Sequence, residues 1–206
     1  MDMPIDRSPQ RGFARLRAVV QTAALAVLLC WSALAPATAA VLAGWDVHGL
    51  AGGSGSYGAS PLAASTADAH LVVGGLTRGS GVGVSGTAAA RGWGGNDWLA
   101  TGAAAAISGG DYASFSVAAA SGYQVSFGAI SRFDYRRSTS GASNGVLQYQ
   151  LGNGAYVDIA TLNYSSTSSS GGSLAAIDLS GIAALQNVPA GTTVTFRVVK
   201  IGRAHV

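Results

Sequence analysis

Leu147-Gln148-Tyr149-Gln150-Leu151-Gly152-Asn153-Gly154-Ala155-Tyr156-Val157-Asp158-Ile159 decides the class of the fold. Leu147, Tyr149 and Leu151 fall on one side of an extended chain, and Ala155, Val157 and Ile159 on one side of the next. Strand side chains point alternately to opposite faces, so each run reads as a half-buried strand. Gly152-Asn153-Gly154 between them reads as a hairpin turn, because Gly and Asn accept the positive φ that tight connections require.

The same period of two continues on both sides. Ala113, Phe115, Val117 and Ala119 form one apolar face, and Val194, Phe196 and Val198 another. Tyr123–Tyr135 carries its apolar residues mostly at odd positions, from Tyr123, Val125 and Phe127 to Phe133 and Tyr135. Ile130 is out of phase, and Gly128 nearby permits a bulge that re-aims it. Val41–Val47, Ala69–Leu76 and Trp98–Thr101 are shorter strand candidates. Helical propensity is confined to Ala103–Ala106 and one turn at Ile182–Leu185. Strands at roughly 8–12-residue spacing, joined by Gly- and Ser-rich turns, predict an all-β fold: a jelly-roll-like antiparallel β-sandwich. Gly52–Gly58 and Ser165–Ser173 read as its loops.

The ends of the chain read differently. Arg7, Arg11, Arg15 and Arg17 precede an apolar run, Ala18–Trp31, and then Ala35-Pro36-Ala37-Thr38-Ala39-Ala40. A basic region, an apolar core and small residues at the cleavage positions define a secretory signal peptide, with cleavage near Ala39 or Ala40. The only cysteine, Cys30, lies inside the apolar run and leaves with it, so the mature chain rests on packing rather than disulfides. Residues 200–206 resemble a translated sequencing adapter, Ile201–Val206 matching its reading in full. The expected organisation is a signal peptide over 1–40, a single β-sandwich domain over 41–199 and an artefactual tail over 200–206. On this reading Thr192–Val199 is the last strand of a sheet whose remaining strands are missing.

Removing both ends changes the electrostatics. Between them stand six arginines and seven aspartates, a formal charge of −1 against +3 for the whole chain. A nucleic-acid partner is therefore not indicated. Membrane association is expected only through the signal peptide or a lost anchor.

Sites for chemistry are sparse. The chain has no glutamate, and its aspartates are scattered. Gly141-Ala142-Ser143-Asn144-Gly145 fits the spacing of a nucleophile elbow, but a strand is expected after it where the elbow needs a helix. Gly81-Val82-Gly83-Val84-Ser85-Gly86 has dinucleotide-loop spacing, again without a following helix. Asp46, His48, Asp68 and His70 form two Asp-x-His pairs, a metal set only if two strand ends bring them together. Asp97, Asp111 and Asp158 are candidates for a structural calcium ion. Trp93 and Trp98, in Trp93-Gly94-Gly95-Asn96-Asp97-Trp98, are candidate platforms for sugar rings, with Trp45 behind them. Arg132, Asp134 and Arg136 share a strand face, which reads as a solvated, ion-paired surface. No catalytic residue is assigned.

The strand-forming segments also carry a resemblance. Tyr112-Ala113-Ser114-Phe115-Ser116-Val117, Ser121–Phe127, Arg136-Arg137-Ser138, Ala175–Ser180 and Pro189–Arg197, with Trp45-Asp46 and Gly75–Gly79, resemble the ectodomains of secreted Gram-negative proteins bearing a PEP-CTERM sorting signal. The resemblance implies a noncatalytic jelly-roll-like sandwich. In that family a Pro-Glu-Pro motif, an apolar helix and a basic end follow the ectodomain and are read by an exosortase-type sorting enzyme. The expected function is a cell-surface or extracellular-matrix protein, reached by the general secretory pathway, in attachment, biofilm or matrix assembly. A carbohydrate-binding module for extracellular polysaccharide and an accessory domain of a secreted hydrolase are the alternatives.

Overall fold

The structure is a computed structural model that describes residues 40–98 and 100–201. The signal-peptide reading up to Ala39, with Cys30, and the tail from Gly202 lie outside the described residues. In chain order the strands are β1 (Ala43–Gly44), β2 (Gly53–Ser54), β3 (Thr66–Ala67), β4 (Leu71–Val73), β5 (Thr77–Arg78), β6 (Thr87–Ala88), β7 (Tyr112–Ala119) and β8 (Gln124–Val125). They continue with β9 (Ala129–Ile130), β10 (Phe133–Tyr135), β11 (Asn144–Leu151), β12 (Val157–Asn163), β13 (Gly172–Leu174), β14 (Ile177–Asp178), β15 (Val188–Pro189) and β16 (Val194–Ile201). One helix, α1 (Ala103–Gly109), and a 3₁₀ turn at Ala183–Leu185 complete the set described.

The long strands make one six-stranded sheet in the order β12-β11-β16-β7-β4, with β5 also paired to β7. Every pairing in it is antiparallel. The fold is thus all-β and sandwich-like, as the alternation predicts. The second layer consists of two-stranded ladders, β8 with β15, β9 with β14 and β10 with β13.

The core lies between these layers. Val117, Ala119, Tyr149, Val194 and Phe196 from the sheet pack with Val125, Phe127, Leu179, Leu185 and Val188 from the second layer. Phe196 is its centre. Its ring lies 5.1 Å from Phe115, nearly parallel, and 5.3 Å from Phe127, edge-on. Trp45 extends the series, 4.8 Å from Phe115. A second cluster joins Leu147, Leu162, Tyr164 and Val198.

Three expectations need correction. β16 is an internal strand, not an unfinished edge: β11 pairs with one side of it and β7 with the other, and it runs on through Lys200 and Ile201. Tyr123–Tyr135 is three short strands rather than one. Val125 and Phe127 are buried, Tyr123 and Ala129 are exposed, and Ile130, Phe133 and Tyr135 pack on the core. Burying both Phe127 and Ile130 requires a change of phase, and a regular strand has a fixed period. The hairpin forms, with Gly152 at φ +51, but the register shifts between Leu147 and Gln148. Val157 keeps the core side, opposite Tyr149, yet is 46% exposed, because β12 stands at the end of the sheet.

Phe196→Ala should remove about 3–5 kcal/mol of stability, the range for deleting a buried aromatic side chain. Val72→Ala, at a position 66% exposed, should change it by less than about 0.5 kcal/mol. Chemical denaturation of both variants checks the contrast.

Candidate functional site

The tryptophan loop is anchored rather than presented. Trp98 is 9% exposed and packs with Val82 and Ala142, its Nε1 donating to the Gly95 carbonyl at 2.8 Å. The ammonium of Lys200 lies 4.5 Å from its ring centre. Trp98 is therefore a core residue and not a sugar platform, because the chain folds back over its ring and Gly95 takes its N–H. Trp93 is half-buried, donates to the Ala59 carbonyl at 2.7 Å and carries the Arg78 guanidinium on its ring at 4.7 Å. Trp45 donates to the Leu62 carbonyl at 3.1 Å.

Of the calcium candidates, Asp97 and Asp111 come within electrostatic reach of each other and Asp158 does not join them. Asp111 is 8% exposed. Desolvation pushes its carboxyl up, an amide hydrogen bond at Ala100 opposes that, and the Asp97 charge adds to the rise. Asp158 lies on β12, beyond β11 and β16 from β7, where it accepts from Gln148 Nε2 at 2.7 Å. Among the described residues no three His, Cys, Asp or Glu side chains converge on a metal position.

The Asp-x-His pairs do not meet either. β1 and β3 are antiparallel, which leaves Asp46 beyond one end of their ladder and Asp68 beyond the other. Each pair closes a local turn instead: Asp46 accepts from the His48 amide and Asp68 from the His70 amide, both at 2.8 Å. That amide bond, the largest influence, holds the Asp68 carboxyl below its ordinary value. Arg132 and Asp134 form the expected exposed ion pair at 2.7 Å. Ser143 precedes a strand, and no helix follows Gly86 directly.

The arginines do unexpected work. Arg78 donates to the carbonyls of Tyr57, Gly58 and Gly94, tying two loops together. Arg137 donates to Tyr164, Ser138, Thr139 and Gly141 carbonyls and fixes the loop before β11. Arg197 is 8% exposed and donates from Nε and Nη2 to Gln148 Oε1, at 2.9 and 2.7 Å. Tyr156 lies against its guanidinium at 3.5 Å and Tyr112 at 5.2 Å.

Arg197 belongs to a row. Strand pairing aligns Asp158, Gln148, Arg197, Ser114 and Thr77 across the sheet on the face opposite the core. Gln150, Thr195 and Ser116 make a second row beside it. Thr195 is half-exposed on a central strand, so this face is open to solvent there. At the β4 edge His70 and Tyr123 stack at 4.2 Å, with Tyr123 51% exposed. Asp68 accepts from His70 Nδ1 at 3.1 Å and fixes the ring. The alternation of β11 and β16 already places Gln148 and Arg197 away from the core, but their alignment depends on strand order and register, which sequence does not give.

Comparison of the chain with models of known protein families, with curated proteins and with solved structures found no match.

A carboxyl whose pKa is raised by folding holds its proton more tightly in the folded state. Its ionisation opposes folding, and the loss develops as pH rises through the ordinary carboxylate range to the folded pKa. Asp111→Asn should therefore match or exceed the wild type in stability at pH 7, and the difference should shrink below the ordinary carboxylate range, where both side chains are neutral. Thermal unfolding across pH measures it.

Proposed function

We propose that the chain is a secreted, noncatalytic protein of the Gram-negative cell surface or extracellular matrix. The observation that carries this reading is where the polar chemistry of the folded chain goes. Arg78 and Arg137 are engaged with loop carbonyls, and Arg197 with Gln148 and two tyrosines. Charges used this way rigidify a surface of Gly-, Ser- and Thr-rich loops in a mature sequence without cysteine. The signal-like residues 7–40 and the resemblance of Asp111–Val199 to PEP-CTERM ectodomains support export and sorting by an exosortase-type enzyme.

Two experiments test it. Expressed in a Gram-negative host, the protein should appear outside the cytoplasm with a new N-terminus at Ala40 or Val41, read by mass spectrometry. A full-length chain retained in the cytoplasm overturns the export reading. The coding sequence beyond codon 199 should continue to a Pro-Glu-Pro motif and an apolar helix. A genomic Ile-Gly-Arg-Ala-His-Val followed by a stop overturns the sorting reading, and a catalytic domain there would make this an accessory domain of a hydrolase.

A further inference from the structure

The geometry points to a binding site for a neutral polysaccharide chain on the outer face of the large sheet, where Thr195 and Thr77 reach solvent beside the buried Gln148–Arg197 pair. The inference rests on the extracellular reading only for where such a ligand would be met.

The first argument is the hydrogen-bonding character of the face. Asp158, Gln148, Arg197, Ser114 and Thr77 cross five strands in register, about 19 Å at the usual strand spacing. Gln150, Thr195 and Ser116 run parallel to them. Gln148 and Arg197 are buried and bonded to each other, so they brace the row, and the groups it offers are the hydroxyls of Thr77, Ser114, Ser116 and Thr195, which donate and accept as sugar hydroxyls do. Gly74 keeps the space beside the Ser116 hydroxyl clear, since a side chain there would meet Oγ.

The second argument is the placement of rings. Tyr156, half-exposed, is backed by the Arg197 guanidinium from the β12 side. The Tyr123–His70 pair stands at the β4 edge, with Asp68 fixing the imidazole. Such rings present apolar surface for the C–H faces of sugars.

Charge and apolarity separate this ligand from others. Arg197, the one cation in the row, is covered by tyrosines, and Asp158 is the exposed charge. A polyanion would meet no exposed cation in either row. A protein partner would want a contiguous apolar centre, yet Val72 is the one large apolar side chain among the strongly exposed ones that lies on this sheet face.

Affinity gel electrophoresis of the secreted protein tests the site, with hydroxyethyl cellulose, galactomannan and laminarin as neutral probes and alginate and DNA as anionic ones. At least one neutral polysaccharide should retard the protein. Tyr156→Ala and Tyr123→Ala should each weaken that retardation about two- to twelvefold, as expected for losing one aromatic contact. Val84→Ala, exposed and away from the sheet, should leave it unchanged, with circular dichroism confirming that all three variants fold. Retardation by no neutral probe, by alginate or DNA alone, or equally in the wild type and both tyrosine variants overturns the proposal. Secretion is read separately, so either failure is distinguishable from the other.

Discussion

The placement of Phe196 between Phe115 and Phe127, on a strand that separates β7 from β11, is the constraint on which the rest depends. Neither β7 nor β11 has its inner partner until β16 arrives from far along the chain. The sheet therefore cannot be assembled from neighbouring hairpins alone. Only β11 and β12 pair locally, through the Gly152 turn. Folds built on such distant pairings form slowly and leave strand edges unpaired meanwhile. The aggregation hazard of this molecule belongs to that interval and to its nascent β7 and β11 edges, not to an exposed β16.

Around this core the chain solves the problem of holding long polar loops without cross-links. A guanidinium bonded to several carbonyls fixes chain segments distant in sequence, as Arg78 does for Tyr57, Gly58 and Gly94. Burial of an arginine is costly unless its donors are engaged. Arg197 meets that cost with two bonds to one amide oxygen and two flanking rings, with no carboxylate in ion-pair range among the described residues. The same interactions that make the face rigid also leave its tyrosines held in place.

What could be read in advance follows from which interactions are local. The inward faces of β7, β11 and β16 obey a simple period, and Val117, Leu147, Val194 and Phe196 are buried as that period requires. The helix at Ala103 and the turn at Ala183 were legible for the same reason. Val157, Tyr123 and Ile130 were not, because the place of β12 at the end of the sheet and two phase changes decide them, and those arise from packing against strands far away in sequence. The candidate site divides likewise. Trp93 and Trp98 are equally plausible platforms in sequence, whereas in the fold the backbone closes over the Trp98 indole and leaves Trp93 half-buried. The Gln148–Arg197 row appears only when strand order is known.

Gly145 shows how a functional-looking motif can have a packing origin. It closes the Gly141–Gly145 sequence that has nucleophile-elbow spacing, yet it sits inside β11 opposite Lys200. A Cβ at Gly145 would stand 2.8 Å from both the Tyr164 hydroxyl and the Val199 carbonyl. The glycine is needed because Tyr164 lies directly over the strand. The hydroxyl of Tyr164 is itself buried without a hydrogen-bond partner, and desolvation pushes it up from the ordinary phenol value. Lys200 shares this environment, 4.5 Å from the Trp98 ring and 5.8 Å from that of Tyr164, and burial pushes its ammonium down to about 8. Small residues, two aromatic rings and one poorly solvated cation thus form a single packing unit at the end of β16. Tyr164 excludes a side chain at Gly145 and the Arg137–Ser138 turn crowds Gly141, so local packing accounts for these glycines without a nucleophile.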